Sequence, residues 1–169
     1  MINRNTTLNL IKGTGKMELF DFKWTNGNHE DFKKFYLITE EYYSKLVGGA
    51  ENRMAFIPYN ICDNIQDVVI EYKNDKAVGC AGLKDCSPAE AEIKRVWVEP
   101  AYRGQGLATK LMELIETKAK ERNFQRVILQ TREIMQDAVA LYRKLGYHQI
   151  ANYSPYDKLL DAVCFAKDI

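Results

Sequence analysis

The chain has 169 residues, of which 46% are apolar and 28% charged, with only 4 prolines and 10 glycines. That balance excludes a disordered or collagen-like chain and suits one domain of ordinary size, which would bury roughly 70% of the surface its unfolded form exposes. Lysine and arginine number 24 against 23 acidic residues, a net charge of +1. A general nucleic-acid binder or a protein built for anionic membranes shows a basic excess, so neither partner is expected and any anion site must be local.

Four cysteines (Cys62, Cys80, Cys86 and Cys164) lie far apart without a C-x-x-C pair, and only two histidines accompany them. Scattered reduced thiols packed as small apolar groups are expected, with no metal site and no disulfide framework. The N-terminus is polar and no apolar run approaches 18 residues, so the reading is a cytoplasmic chain with neither signal peptide nor membrane span. Residues 1–16, which end Gly13-Thr14-Gly15-Lys16, read as a polar leader that can contribute a short strand; residues 17–169 read as a single domain.

In chain order, Phe20, Phe22 and Trp24 alternate with polar residues and predict a half-buried strand. Residues 25–28 (Thr-Asn-Gly-Asn) can cap a helix that starts near His29. Its stripe is Phe32, Phe35, Tyr36, Tyr42, Tyr43 and Leu46, and Gly48-Gly49 stops it. An irregular stretch to Asn64 follows. Residues 68–72 and 77–81 predict two strands joined through Asn74-Asp75, residues that tolerate positive φ in a tight turn. Residues 92–98 predict another strand, ended by Glu99-Pro100. From Gly106, the spacing of Leu107, Leu111, Leu114, Ile115 and Ala119 predicts an amphipathic helix. A strand over 126–130, a helix with Ala138, Leu141, Tyr142 and Leu145 on one face, and strands over 147–151 and 162–166 complete the chain. Interleaved strands and helices with a central hairpin predict a mixed α/β sheet covered by helices.

The most informative segment is Val96 to Ala108, where a strand enters a turn with two glycines and a long helix follows at once. Glycines let the main chain approach a ligand, and a helix start leaves four N–H groups without internal partners. With about +0.5 charge from the aligned peptide dipoles, those donors favour an anion such as pyrophosphate, and Arg103 adds a cation beside them. A plain strand-to-helix turn has the same spacing. Two phosphate-loop alternatives fail. Gly15-Lys16 lacks the first glycine (Leu10) and the hydroxyl residue (Met17) of a Walker loop, and Thr109 stands where a dinucleotide fingerprint needs its third glycine.

Residues 103–108, Arg-Gly-Gln-Gly-Leu-Ala, match the Q/R-x-x-G-x-G/A signature of the GNAT acetyl-CoA-dependent N-acetyltransferases. Residues 138–147, Ala-Val-Ala-Leu-Tyr-Arg-Lys-Leu-Gly-Tyr, match that superfamily's second motif, A-x-x-L-Y-x-K-x-G-F. Both occur in the right order with a strand between them, and the element order from Phe20 onward also resembles the family. The resemblance implies a mixed, mostly antiparallel α/β (α+β) sheet with splayed central strands, flanked by helices, over 17–169. It implies acetyl-CoA as co-substrate, no metal, and direct transfer of acetyl to a primary amine through a tetrahedral intermediate. A catalytically silent acyl-CoA-binding regulatory module is the alternative.

The resemblance also divides the labour. Val96, Trp97 and Val98 would pair with the pantetheine arm like an added strand. Arg103, Gly104, Gln105, Gly106, Leu107, Ala108 and Thr109 would hold the pyrophosphate, with Lys144 nearby. Tyr142 matches the tyrosine that gives a proton to the departing thiolate in many members; a phenol of pKa near 10 stays protonated at neutral pH and can serve so, although its helix position also suits a core tyrosine. Glu92, eleven residues before Arg103, stands where several members place a general base; an exposed strand glutamate paired with Lys94 is the competing reading. Met135 departs from the family's frequent asparagine, and Gln136 or Thr131 could take over its hydrogen bond. On the acceptor side, Tyr42, Tyr59, Tyr153 and Tyr156 are the candidate substrate contacts within a tyrosine-rich set. His29 and His148 carry no catalytic role. The expected acceptor is a small-molecule or peptide amine, and the expected state a monomer or homodimer.

Overall fold

The computed structural model describes residues 6–11, 17–62 and 64–169. Eleven main elements follow one another: β1 (Thr6–Ile11), β2 (Met17–Thr25), α1 (Glu30–Leu46), β3 (Asp67–Lys73), β4 (Lys76–Asp85), β5 (Glu90–Val98), α2 (Leu107–Glu121), β6 (Arg126–Arg132), α3 (Gln136–Lys144), β7 (His148–Ile150) and β8 (Ala162–Asp168). The strands form a single sheet in the order β1-β2-β3-β4-β5-β6-β8-β7. Only β5 and β6 run parallel among the described strands; every other pairing is antiparallel. This is the mixed, mostly antiparallel sheet that the sequence predicts.

Part of the expected leader is sheet: β1 pairs with β2 from Thr6↔Phe22 to Ile11↔Met17. The rest of that leader, 1–5 and 12–16, lies outside the described residues. The Asn74-Asp75 turn forms as predicted, with φ of 49° and 60°. Several strands outrun their sequence patterns because pairing with a neighbour carries them on; β4 reaches Asp85 by pairing Leu83, Lys84 and Asp85 with Ile93, Glu92 and Ala91.

Helices cover both faces. On one, α2 and α3 bury Leu111, Met112, Ile115 and Tyr142 against Phe20, Phe22, Leu129 and Phe165. On the other, Phe32 and Phe35 of α1 pack on Val68, Ile70 and Trp97. Each such aromatic or aliphatic side chain, taken fully out of water, contributes about 1.5–3 kcal/mol. The start of α1 is fixed by His29 itself, whose Nδ1 accepts the Asp31 N–H at 3.2 Å, while Glu30 and Asp31 complement the helix dipole. Tyr42 and Leu46, expected on the buried stripe of α1, are instead about two-fifths exposed, because they lie at its open end beside a cavity.

The feature that positions the site is the parting of β5 from β6. They pair only from Glu90↔Arg126 to Ile93↔Leu129; beyond that β5 continues to Val98 and β6 to Arg132 without each other. Against β4, the register shifts by one residue between Trp97↔Cys80 and Lys94↔Gly82, and Arg95 within this bulge has φ of 58°. A bulge bends its strand and re-aims side chains. The wedge between the two strands is the predicted splay.

Candidate active site

Two cavities meet in that wedge. The larger, about 710 Å³, is walled by Trp97 and Val98 at the end of β5, by Arg103, Gly104 and Gly106 of the turn, by Leu107, Ala108 and Thr109 of α2, and by Lys144 of α3. The smaller, about 120 Å³, lies on the α1 side and is walled by Glu92, Lys94, Arg95, Arg132 and Tyr156 among others. Tyr43, Val96, Met135, Ala138 and Tyr142 line both and so mark their junction.

One wall of the larger cavity is a turn whose main chain is open to it. Gly104 and Gly106 have φ of 75° and 81°, which other residues adopt only with strain, and a Cβ built on either would meet nothing within 4 Å. The first helical bond is the Lys110 N–H to the Gly106 carbonyl at 3.0 Å. Among the described residues the amides of 104–109 have no main-chain acceptor, and the helix has no side-chain cap. Such a cluster of free N–H groups at a positive helix end binds anions. Arg103 stands near it but is already held: its Nε donates to the Val98 carbonyl at 2.9 Å, and its guanidinium lies 4.7 Å from the Trp97 ring and 5.3 Å from Tyr42. Tyr42 thus belongs to this cavity and not to the acceptor side where the sequence reading put it. Gln105 does not line the cavity; its Oε1 is buried without a partner among the described residues.

The smaller cavity is built from side chains. Glu92 is 4% exposed, which removes the exposed-strand reading. Its Oε1 accepts hydrogen bonds from the Tyr153 and Tyr156 hydroxyls, both at 3.0 Å, and its Oε2 lies 3.5 Å from Lys94 Nζ. Lys94 Nζ donates to the Tyr156 hydroxyl at 2.8 Å and to the Tyr59 carbonyl at 3.0 Å. Burial pushes the Lys94 ammonium below its ordinary range, with the Glu92 carboxylate pulling the other way. Burial, and then the Glu92 charge, push both phenols up, so they stay protonated donors. Of the four candidate tyrosines, Tyr153 and Tyr156 therefore hold Glu92. Tyr59 offers its carbonyl and packs edge-on against Tyr156 at 5.9 Å.

Tyr142 sits at the junction, 7% exposed, its ring 5.9 Å from Tyr147 and 6.2 Å from Phe165. It is both a core residue and a wall of each cavity. Burial, with Tyr43 a lesser cause, raises its phenol above the ordinary value, so the proton is retained at neutral pH. Met135, in place of the expected asparagine, accepts a weak bond from Thr131 Oγ1 at 3.7 Å to its sulfur.

A model of the acetyltransferase (GNAT) family matches residues 16–147, most of the chain and both motifs. The chain belongs to the GNAT acetyltransferase family. Among relatives, the uncharacterized N-acetyltransferase YjgM of Escherichia coli is 35% identical over 85 residues, which are 48% of this chain and 50% of YjgM. The IAA acetyltransferase of Azospirillum brasilense is 29% identical over 89 residues, 52% of this chain and 58% of that protein. The chain thus spans about half the length of these relatives. The fold is shared with the PaiA N-acetyltransferase of Thermoplasma acidophilum, solved in complex with coenzyme A, at a TM-score of 0.68 and 13% identity over 89% of this chain and 99% of that one.

Within this GNAT domain, sequence reasoning missed the cationic wall of the smaller cavity: Arg53, Arg95 and Arg132. Arg53 comes from a short 3-10 turn in the irregular stretch and reaches Glu40, with Nη2 3.0 Å from Oε1. Arg95 reaches the same oxygen at 3.0 Å and the Asn60 carbonyl at 2.7 Å. One signal was available. The adjacent charges Lys94-Arg95 break the two-residue alternation of the strand, as a bulge does.

Proposed function

We propose that this GNAT domain is an acetyl-CoA-dependent N-acetyltransferase acting on a primary amine. The observation that carries the reading is the junction: an amide-lined cavity and a carboxylate-bearing cavity share Tyr142 as a wall. The free amides of 104–109 would take the pyrophosphate, and the unpaired edge of β5 at Val96 to Val98 would lie along the pantetheine arm. Acetyl-CoA supplies an activated acyl thioester there.

The chain's own residues then have three tasks. Glu92, fixed by two phenols, takes the proton from the incoming ammonium or from the nitrogen as it attacks, directly or through one water. The amine nitrogen adds to the thioester carbon to give a tetrahedral intermediate; its collapse breaks the carbon–sulfur bond, and Tyr142 hands its proton to the departing thiolate. General acid and base groups of this kind contribute typically ~10²–10⁴ each in rate. The buried walls around them keep water away from the thioester. No thiol nucleophile is needed in this step, and Cys62, Cys80 and Cys164 are buried.

The test is release of free thiol from acetyl-CoA across a panel of primary amines, with calorimetric titration of coenzyme A alongside. Amine-dependent release supports the reading. Tight coenzyme binding with no amine ever accelerating release overturns it and makes the domain a silent acyl-CoA binder.

A further inference from the structure

Four cationic side chains wall the smaller cavity: Arg53, Lys94, Arg95 and Arg132. Their side chains are only 4%, 8%, 8% and 10% exposed, respectively. Burying that much positive charge is costly unless anions meet it. The protein provides two within reach. Glu40 accepts from both Arg53 and Arg95, and Glu92 lies beside Lys94.

Arg132 is left over. Among the described residues its only hydrogen-bonding partner is Asp161, at 2.9 Å from Nη2, and that carboxylate is 67% exposed and so well screened by water. Its Nε and Nη1 are buried with no hydrogen-bond partner among the described residues, as is Nε of Arg95. Meanwhile the Arg132 guanidinium carbon lies 4.7 Å from the ring centre of a second wall residue, Phe56. A guanidinium in a cavity wall, with donors that the described residues leave unmatched, is the recognition element proteins use for carboxylate and phosphate groups. Register puts it on the same face as the base. Glu92 pairs with Ile128, and Gln130 and Arg132 follow at two-residue steps along β6.

Resting on the acetyltransferase reading above, we infer that the acceptor amine carries its own anionic group, a carboxylate or a phosphate, and that Arg132 binds this group while Glu92 faces the amine. The acceptor is therefore a small zwitterion, not a simple alkylamine. Arg132 becomes a specificity residue that touches substrate away from the reacting atoms.

The experiment compares matched acceptors at saturating acetyl-CoA. Amino carboxylates of increasing spacer length are set against alkylamines of equal length, and phosphoethanolamine against ethanolamine. The expected result is a kcat/KM at least tenfold higher for the anionic member of one series, carried mostly by KM; which series shows it separates carboxylate from phosphate. In Arg132→Gln that ratio should collapse toward one, and Arg132→Lys should recover part of it. Turnover of amines with a ratio of one or less in the unaltered enzyme overturns the inference while leaving the acetyltransferase reading intact; a ratio that survives Arg132→Gln moves the anion elsewhere and overturns it too. Coenzyme binding without turnover of any acceptor overturns both. Should Arg132→Gln fail to fold, the ratio in the unaltered enzyme decides.

Discussion

The two cavities of this molecule are made in opposite ways. The larger contains a run of consecutive residues, 104–109 at one helix start, whose main-chain amides are free. The smaller draws on side chains from α1, the irregular stretch after it, β5, β6, α3 and the loop before β8, with walls from Thr39 to Tyr156, and its Tyr156 to Glu92 bond alone joins residues 64 positions apart. A surface of amides tolerates many side chains so long as the two glycines keep their turn. A cage of side chains can be redrawn one residue at a time without touching the fold. The first arrangement suits a partner that never changes, and the second suits one that does.

The largest effect that would break this contrast comes from the cage. Glu92→Gln keeps the size and the two phenol contacts but cannot take a proton. Turnover should fall by about 10² to 10⁴, with the KM for acetyl-CoA within roughly twofold of its starting value. Steady-state thiol release measures both, and a rise in the acetyl-CoA KM with turnover preserved would mean the two cavities are not separate in function.

Glu71 sharpens the point from another side. Like Glu92 it is a buried carboxyl, here wholly so, but neither of its oxygens has a partner among the described residues. Gly79 makes room for it, since a Cβ there would lie 2.7 Å from Glu71 Oε2. Burial alone pushes its carboxyl from 4.5 up to about 8. Between those values the folded chain keeps a proton that the unfolded chain has released, so stability falls as pH rises, by about 1.4 kcal/mol per unit. Below the lower value both states are protonated and the slope vanishes. Glu71→Gln should remove this slope, so that from pH 6 to pH 8 the variant gains about 2 to 3 kcal/mol relative to the parent in urea unfolding. Parallel pH profiles for the two proteins would show that Glu71 does not hold a proton. Glu92 is met by two phenol donors, whereas Glu71 has none among the described residues, and burial holds its carboxyl above the usual range.

How much of this was legible beforehand follows from the same contrast. The glycine turn and the helix face through Tyr142 rest on residues adjacent in sequence or on motif spacing and were read from them, whereas the parting of β5 from β6 was expected only from the family resemblance; the fold has all three. Tyr42 was misplaced because helical periodicity identifies the inner face of α1 but not where the sheet beneath it ends. Arg53, Arg95 and Arg132 were unread because their meaning depends on long-range neighbours: Glu40 for the first two, and Phe56 and Asp161 for the third. An isolated arginine in a loop or strand has no pattern of its own.

Tyr142 tests the junction. Its ring belongs to the core, and replacing only the hydroxyl leaves that packing in place. Tyr142→Phe should lower turnover by about a hundredfold, the weaker end for a general acid because a thiolate leaves easily, with coenzyme affinity nearly constant. Full activity in this variant would reduce Tyr142 to a packing residue and leave the thiolate to be protonated by water.

The smallest effect is expected from Arg103, the arginine in the wall of the amide-lined cavity. Arg103 is exposed at the turn, its guanidinium lying on Trp97 and Tyr42 with Nε tied to the Val98 carbonyl. An exposed cation near a bound anion contributes up to about 1 kcal/mol, and screening by salt reduces it further. Arg103→Ala should therefore raise the KM for acetyl-CoA by about fivefold at low ionic strength, and by less as salt is added. The amides of 104–109 are untouched by this change, so most of the affinity should persist. A hundredfold loss would mean that a side chain, and not the main chain, grips the diphosphate, and the distinction between the two cavities would fall with it.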